Sequence, residues 1–550
     1  MVRAAPTTSW PGSQTPLKCG TARATAQGRM ATRTGTEPTA SGTQGGNGVA
    51  AADGLAVHNP ADGSLITTLP VDGPERVREV VQRVRANQPE WEALGIKGRA
   101  RWLGELRDWL LDHYDEIADL MQAETGKVRA EASGETVYLA DLINFYGKKA
   151  RRYIGEEKVP AHSPLMKVKR LRVQYRPYPV AGVISPWNFP LILSLGDAIP
   201  ALQAGCAVVI KPSEVTPLSL RRIIHGWKEE IGGPDVLDAL NGMGETGSAL
   251  VDEVDFVQFT GSDRTAKKVL ARAAETLTPV SAELGGKDPM IVLRSADLEK
   301  AVNAATWGAF QNSGQVCMSV ERLYVEEPVY DEFVARLTEE VGKLKQGMDG
   351  TEYGSDLGAM TFPPQTEIVE SHIADARQRG AKIVTGGQRI DGDGDWYPPT
   401  VITDVDHSMQ VMRDESFGPV VGVMKVRDAD EAVRLANDTR YGLSGYVFGK
   451  TREAESVARR LEVGAACVND VLVNFLASDV PMGGWKDSGI GFRHGEYGIK
   501  KFVRPESLVI SRFGGKREPL YFPYTEKRRE KLRRITTFFN ARDWRRRLGR

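Results

Sequence analysis

The chain has 550 residues, 41% of them apolar, and its 72 basic residues are matched by 72 acidic ones. That length calls for two or three domains rather than one core, and the balanced charge gives nucleic acid no basic field to bind. Four scattered cysteines without a CxxC pair, seven histidines without an HxH or HxxxH pair, and no apolar run near the roughly 18 residues of a membrane span argue against a disulfide framework, a metal site and a transmembrane anchor.

Residues 1–50 are Ala, Thr, Gly and Ser with scattered basic side chains, and the first acidic residue is Glu37. Such a segment buries too little apolar surface to fold, so a disordered leader is expected. An organelle transit peptide is the alternative, without an amphipathic stripe to support it, and Met30 is a possible second start. Over residues 75–146 apolar side chains recur at three and four, as in Val77, Val80, Val81 and Val84, then Leu103, Leu106, Trp109 and Leu110, which predicts helices. Residues 167–178 alternate charged and apolar positions, as an exposed ribbon that pairs with another chain does. Residues 180–184, 207–210, 255–259 and 289–293 then read as buried strands. Helical patterns at 218–231, 264–275 and 298–310 separate them. This alternation predicts a parallel sheet with helices on both faces, and a second α/β unit reaching about residue 468. Ligands of such sheets bind beyond the carboxyl ends of the strands. Residues 516–550 hold 13 Lys/Arg against 4 Asp/Glu, and Leu532, Ile535, Phe538 and Phe539 share one helical face. This predicts a basic amphipathic helix suited to an anionic lipid surface, with a solvated or subunit-contacting tail as the alternative.

The loops carry the chemistry. Cys317 stands in QNSGQVCMS (311–319), a Gly/Gln/Ser turn between a helical pattern and an apolar strand. A lone cysteine is more often a small buried hydrophobe, yet backbone amides in such a turn can hold a thiolate and receive an oxyanion. In SPWNFP (185–190), Asn188 is fixed between aromatics and prolines, either as an oxyanion donor or as an Asx turn. Lys211 and Glu214 of KPSE can grip ribose hydroxyls, or form a solvated ion pair. Gly261 and Ser262 of FTGS open a helix, an anion site suited to pyrophosphate. A literal GxGxxG at Gly242, Gly244 and Gly247 is a weak match alone, with no acidic residue about 20 positions on that follows a second strand in the usual way, so the pyrophosphate is placed nearer Ser262. Glu283 of ELGGK precedes two glycines, and partial burial would raise it toward a general base. Glu415 and Phe417 of ESFGP put a carboxylate beside an aromatic ring. PMGGWKDSG (481–489) is a Gly-rich loop fit to line a pocket mouth.

Taken in this order, SPWNFP, KPSE, FTGS, ELGGK, GQVC, ESFGP and MGGWKDSG resemble the aldehyde dehydrogenase superfamily from about residue 55 to 512. The 34-residue separation of Glu283 and Cys317 fits it too. The resemblance implies an α/β fold with a Rossmann-like cofactor domain at 51–156 and 176–285 and an α/β catalytic domain at 286–482. It also implies an oligomerisation β-ribbon and pocket-mouth loop at 157–175 and 483–514, followed by the basic tail at 515–550. It implies a homodimer or homotetramer; the composition adds the expectation of a cytoplasmic location, no nucleic-acid partner and a tail in weak contact with a membrane surface. The implied cofactor is NAD, with NADP as the alternative. Cys317 would attack the aldehyde carbon, Asn188 would hold the oxyanion, and Glu283 would activate the deacylating water. Lys211, Glu214, Gly261, Ser262, Trp187, Glu415 and Phe417 would hold the cofactor. One departure is Ala266, where a glycine is frequent.

The implied reaction turns an aldehyde into a carboxylic acid through a cysteine thiohemiacetal and a thioacyl enzyme. A cysteine hydrolase would want a histidine near the thiol, and the nearest in sequence, His372, is 55 residues away. A CoA-acylating enzyme would not need Glu283, and a dead scaffold would not keep Asn188, Glu283 and Cys317 together. Residues 187–197, 317–322 and 492–495 look most similar to actinobacterial succinate-semialdehyde dehydrogenases, so succinate semialdehyde is the expected substrate. A broad enzyme for aromatic or longer aliphatic aldehydes is the alternative. Phe189, Leu193 and Gly196 are expected to line the aldehyde tunnel. Arg322 is read as a cation for the far carboxylate or as a structural residue.

Overall fold

The structure, a computed structural model, describes residues 50–51, 54–163, 166–511, 518 and 521–548. The leader expected at 1–50 therefore lies outside the described residues except for Ala50, which pairs with Leu55 in a small antiparallel sheet. The helical segment folds as four helices, Pro74–Ala93, Gly95–Asp112, Tyr114–Thr125 and Arg129–Ile154. Their apolar stripes, Val77, Val80, Val81 and Val84 in the first and Leu103, Leu106, Trp109 and Leu110 in the second, enter one core with the first sheet. Burial of the stripe, more than helix propensity, holds such helices in place. Gly126 (φ 72) ends the third helix where a Cβ would lie 2.8 Å from Pro60 Cγ.

The first sheet has six strands in the order Gly489–Ile490, Val280–Glu283, Phe256–Thr260, Val180–Ile184, Ala207–Lys211 and Leu237–Ala239. All neighbours are parallel except the edge strand Gly489–Ile490. From Val180–Ile184 the chain first moves outward to Leu237–Ala239, then returns to the other side at Phe256–Thr260. The strand order therefore reverses between Val180–Ile184 and Phe256–Thr260, the place where open α/β sheets leave a crevice. The second sheet has seven strands, and Asp288–Val292, Val320–Glu326, Val420–Val426 and Ser444–Phe448 at its centre are buried and parallel. Lys169–Pro177 pairs with Val503–Ser511 over nine residues and with Glu157–Val159, forming the expected ribbon.

Two expectations are corrected. The helix read over 218–231 ends at His225 and continues as a wider turn, Gly226–Glu230. The change of pitch falls where the Trp109 ring lies against Gly226, so close that a Cβ there would sit 2.2 Å from Cζ2. The carboxyl-end rule covers four of six loops. SPWNFP, KPSE, FTGS and ELGGK follow strands of the first sheet, whereas GQVC precedes Val320–Glu326 and ESFGP precedes Val420–Val426 of the second. The chain steps from one sheet to the other between Glu283 and Asp288, so carboxyl ends of the first face amino ends of the second.

Candidate active site

The site is built on that seam. Asn312, Ser313 and Gly314 take three successive left-handed conformations (φ 53, 53 and 70). This tight turn is held from outside. Asn312 N donates to Glu131 Oε1 (2.6 Å), Ser313 Oγ donates to Gly358 O (2.8 Å), and Thr361 N donates to Gln315 Oε1 (2.9 Å). Gly314 lies so close to ESFGP that a Cβ there would meet Gly418 O at 2.1 Å. Fixed backbone at such cost in conformation marks a site where geometry is over-determined. Three residues on, Cys317 opens onto a cavity of about 250 Å³ that Asn188, Leu193, Glu283, Glu415 and Phe417 also line.

Asn188 is buried and spends one N–H on Gln315 O (2.9 Å), while Asn312 Nδ2 donates to Asn188 O (3.1 Å). The amide is thus tied to the thiol loop, and its second N–H remains to donate into the cavity. Glu283 ends the strand Val280–Glu283 and is buried, yet neither carboxylate oxygen has a hydrogen-bond partner among the described residues. Burial pushes its carboxyl up to about 7, while Arg493 and Lys501 pull it down. An unpartnered carboxyl with that affinity for protons is poised to take one from water. Burial pushes the Cys317 thiol up to about 12, with Arg493 opposing. The resting thiol therefore holds its proton.

Glu415 lines the other side of the cavity. Its Oε1 accepts from Gly286 N (2.9 Å), and burial, with Glu321 nearby, pushes it up to about 8. A Cβ on Gly285 would sit 2.2 Å from Glu415 Oε2, and one on Gly286 would sit 2.5 Å from Cys317 O, so both glycines of ELGGK are required by close approach. Trp187 and Phe417 meet edge to face, centroids 5.4 Å apart. Ser262 caps the twelve-residue helix Asp263–Ala274, its Oγ accepting from Thr265 N. Lys211 Nζ donates to Glu214 Oε2 (3.1 Å) and to Gly242 O (2.7 Å), which brings the GxGxxG turn beside KPSE. A helix amino terminus next to Gly261, a lysine–glutamate pair at a neighbouring strand end and a carboxylate beside two rings fit a dinucleotide.

Sequence reading missed what supports these groups. Lys287 and Glu321 form a fully buried ion pair, and Glu321 accepts from Ser416 N (2.8 Å) and Phe417 N (3.0 Å), which fixes ESFGP. Beneath Glu283, Arg493 donates to Asp197 Oδ2 (2.8 Å) and Thr260 Oγ1 (2.8 Å), and Lys501 donates to Asp197 Oδ1 (3.1 Å). No local motif announces these contacts, which join residues far apart in sequence. Leu193 lines the cavity as expected, but Phe189 does not. Its ring packs under Lys127 Nζ, 3.9 Å from the centroid, because the buried Lys127–Glu135 pair draws it there. Gly196 faces the helix Arg129–Ile154, where a Cβ would meet Tyr138 Cε1 at 3.7 Å. Arg322 is structural. It is fully buried and donates to Lys287 O (2.8 Å), Tyr324 OH (3.0 Å) and Ala436 O (3.0 Å).

The sequence profile of the Aldehyde dehydrogenase family matches residues 49–508. The chain belongs to that family. A protein of Methylomonas named 4,4'-diapolycopene aldehyde oxidase is 39% identical over 493 residues, covering 89% of this chain and 92% of its own. A protein of Mycolicibacterium smegmatis provisionally named succinate-semialdehyde dehydrogenase [NADP(+)] is 38% identical over 458 residues, covering 82% of this chain and 87% of its own. Among solved structures, lactaldehyde dehydrogenase from Escherichia coli superposes with a TM-score of 0.79 at 34% identity over 83% of this chain and 95% of its own. This aldehyde dehydrogenase is an oxidoreductase that uses NAD or NADP, as the family does.

Proposed function

We propose that Cys317 carries the oxidation, with Asn188 and Glu283 as its partners. The observation that supports this is their convergence on one cavity with Glu415 and Phe417. Glu283 takes the Cys317 proton as the sulfur adds to the aldehyde carbon and releases it to solvent, and the second N–H of Asn188 donates to the alkoxide that forms. A nicotinamide bound here would supply the acceptor for the hydride of this carbon. Glu283 takes a proton from water, the hydroxide displaces Cys317 from the thioester, and the acid departs with the thiolate restored. Lys211 and Glu214 would hold the adenosine ribose, Gly261 and Ser262 would face the pyrophosphate, Trp187 and Phe417 would flank the nicotinamide side, and Glu415 would accept from its ribose. A carboxylate at Glu214 favours NAD over NADP. The cofactor domain is the part that carries the first sheet, the catalytic domain the part that carries the second. The working enzyme is a cytoplasmic homo-oligomer joined through the ribbon.

For the substrate, an uncharged apolar aldehyde is the better reading. No Lys or Arg is among the residues lining the cavity, while Glu283 and Glu415 both do. The nearby cations Arg493 and Lys501 are engaged by Asp197, and Arg322 points elsewhere. A substrate carboxylate would be desolvated there without a cationic partner. Succinate semialdehyde is the second reading, favoured by the names of several relatives near 38% identity. Comparison of kcat/KM for hexanal, benzaldehyde and succinate semialdehyde tests this. We expect a neutral aldehyde to win by more than about tenfold, about 1.4 kcal/mol of transition-state discrimination. The reverse order would reinstate the semialdehyde.

A further inference from the structure

Beyond the ribbon the chain carries a segment that the reaction does not use. Residues 516–550 hold 13 basic and 4 acidic residues, which leaves 59 basic and 68 acidic for the rest. Charge that balances over the whole chain is therefore split between an acidic body and a basic tail. Within the tail, the fifteen-residue helix Glu526–Asn540 buries no side chain. Glu526 pairs with Arg529, and Glu530 is shared by Arg533 and Arg534. Lys527, Arg528, Lys531, Arg542, Arg545, Arg546 and Arg547 make no ion pair among the described residues.

The same segment is apolar in a way that solvation does not explain. Tyr521, Phe522, Tyr524 and Trp544 are between 59% and 74% exposed, and Phe538 and Phe539 meet edge to face at the helix end. A groove of about 590 Å³ runs between the helix Glu526–Asn540 and the turn Trp544–Arg547. Arg533, Arg534, Arg546 and Arg547 wall it together with Phe538 and Leu548. Guanidinium pairs set beside aromatic and aliphatic side chains match a surface that offers phosphates above and acyl chains below. Trp and Tyr favour that boundary, and each basic residue near it contributes electrostatic attraction.

We propose that the tail docks the enzyme on an anionic phospholipid bilayer, with the arginine groove at the phosphates and the exposed aromatic rings at the acyl boundary. A bilayer fits better than nucleic acid, which would neutralise the arginines and leave Phe522, Phe538 and Leu548 uncovered. The acidic body is repelled by the same surface, so attachment depends on the tail alone. The proposal stands whichever aldehyde the site takes. An apolar aldehyde that partitions into lipid would be reached directly from such a position.

The test is co-sedimentation of the full chain with vesicles of phosphatidylcholine, and of phosphatidylcholine with phosphatidylglycerol. Three variants run beside it: a chain ending at residue 515, Arg533→Gln with Arg534→Gln, Arg546→Gln and Arg547→Gln, and Phe538→Ala with Phe539→Ala. Partition of the full chain into anionic vesicles should exceed that into neutral ones by at least about tenfold. It should weaken in high salt, be lost in the shortened chain and the arginine variant, and fall in the phenylalanine variant. Hexanal oxidation in free solution by the shortened chain should match that of the full chain, which separates loss of docking from loss of the active site. Equal partition of full and shortened chains, or tighter binding of the full chain to an oligonucleotide than to anionic vesicles, overturns the proposal.

Discussion

At the residue scale the decisive pair is Cys317 and Glu283. Cys317→Ala should lower steady aldehyde oxidation by at least about a thousandfold while the melting temperature stays close to that of the parent. Replacing Cys467, which is buried and hydrogen-bonded to Asn474, should leave turnover in place. Glu283→Gln should give an NADH burst and then stall, its steady rate down on the order of a hundredfold. Because burial raises this carboxyl to about 7, deacylation in the parent should rise with pH and reach half its plateau near pH 7. The same shift bears on stability. The folded state holds a proton on Glu283 that the unfolded state, with an ordinary glutamate carboxyl, releases from about pH 4.5 upward. Its contribution is therefore lost as pH rises from there to about 7. The melting-temperature advantage of Glu283→Gln over the parent should accordingly be larger at pH 8 than at pH 5. Cys317, Glu283 and Asn188, modest signals singly, were legible in sequence through the order of the motifs that hold them, GQVC, ELGGK and SPWNFP. Arg493, Asp197 and Lys501 were not, since a buried charge cluster drawn from three distant segments has no spacing to read.

At the scale of elements, strands and helices were legible where the apolar period was clean. The strand Val180–Ile184 and the helix Leu298–Phe310 fall where the pattern put them. Misreadings came from contacts across the fold, as with Phe189 under Lys127 and the helix that changes pitch at Gly226. Loops set by close approach should be the least tolerant of added atoms. Gly285→Ala places a methyl group against the Glu415 carboxylate, so it should raise KM for the cofactor more than it lowers kcat. An unchanged KM would remove Glu415 from the cofactor side. Glu214 offers a milder change. Its side chain is about one-third exposed and paired with Lys211. Glu214→Gln removes the charge that would oppose a 2′-phosphate, and kcat/KM with NADP should rise about tenfold relative to NAD.

At the scale of the whole molecule, alternation of strand and helix foretold parallel sheets but not how two sheets would meet. Carboxyl ends of one face amino ends of the other, and four residues, Leu284 to Lys287, carry the chain from strand to strand across the gap. The ribbon lies apart from this seam, with Val509 and Ile510 exposed on an edge strand. Val509→Lys should shift the enzyme toward smaller species in size-exclusion chromatography without altering turnover per site. The seam has a consequence for how the enzyme wears out with heat. Cys317, the proposed nucleophile, rests on one slab and Glu283, the proposed water-activating base, on the other, so a small slip between slabs would disarm the chemistry while both cores stay intact. Warming should silence turnover several degrees before helical circular dichroism changes. Cooling from that interval should bring the activity back, whereas cooling from beyond the dichroism midpoint should not.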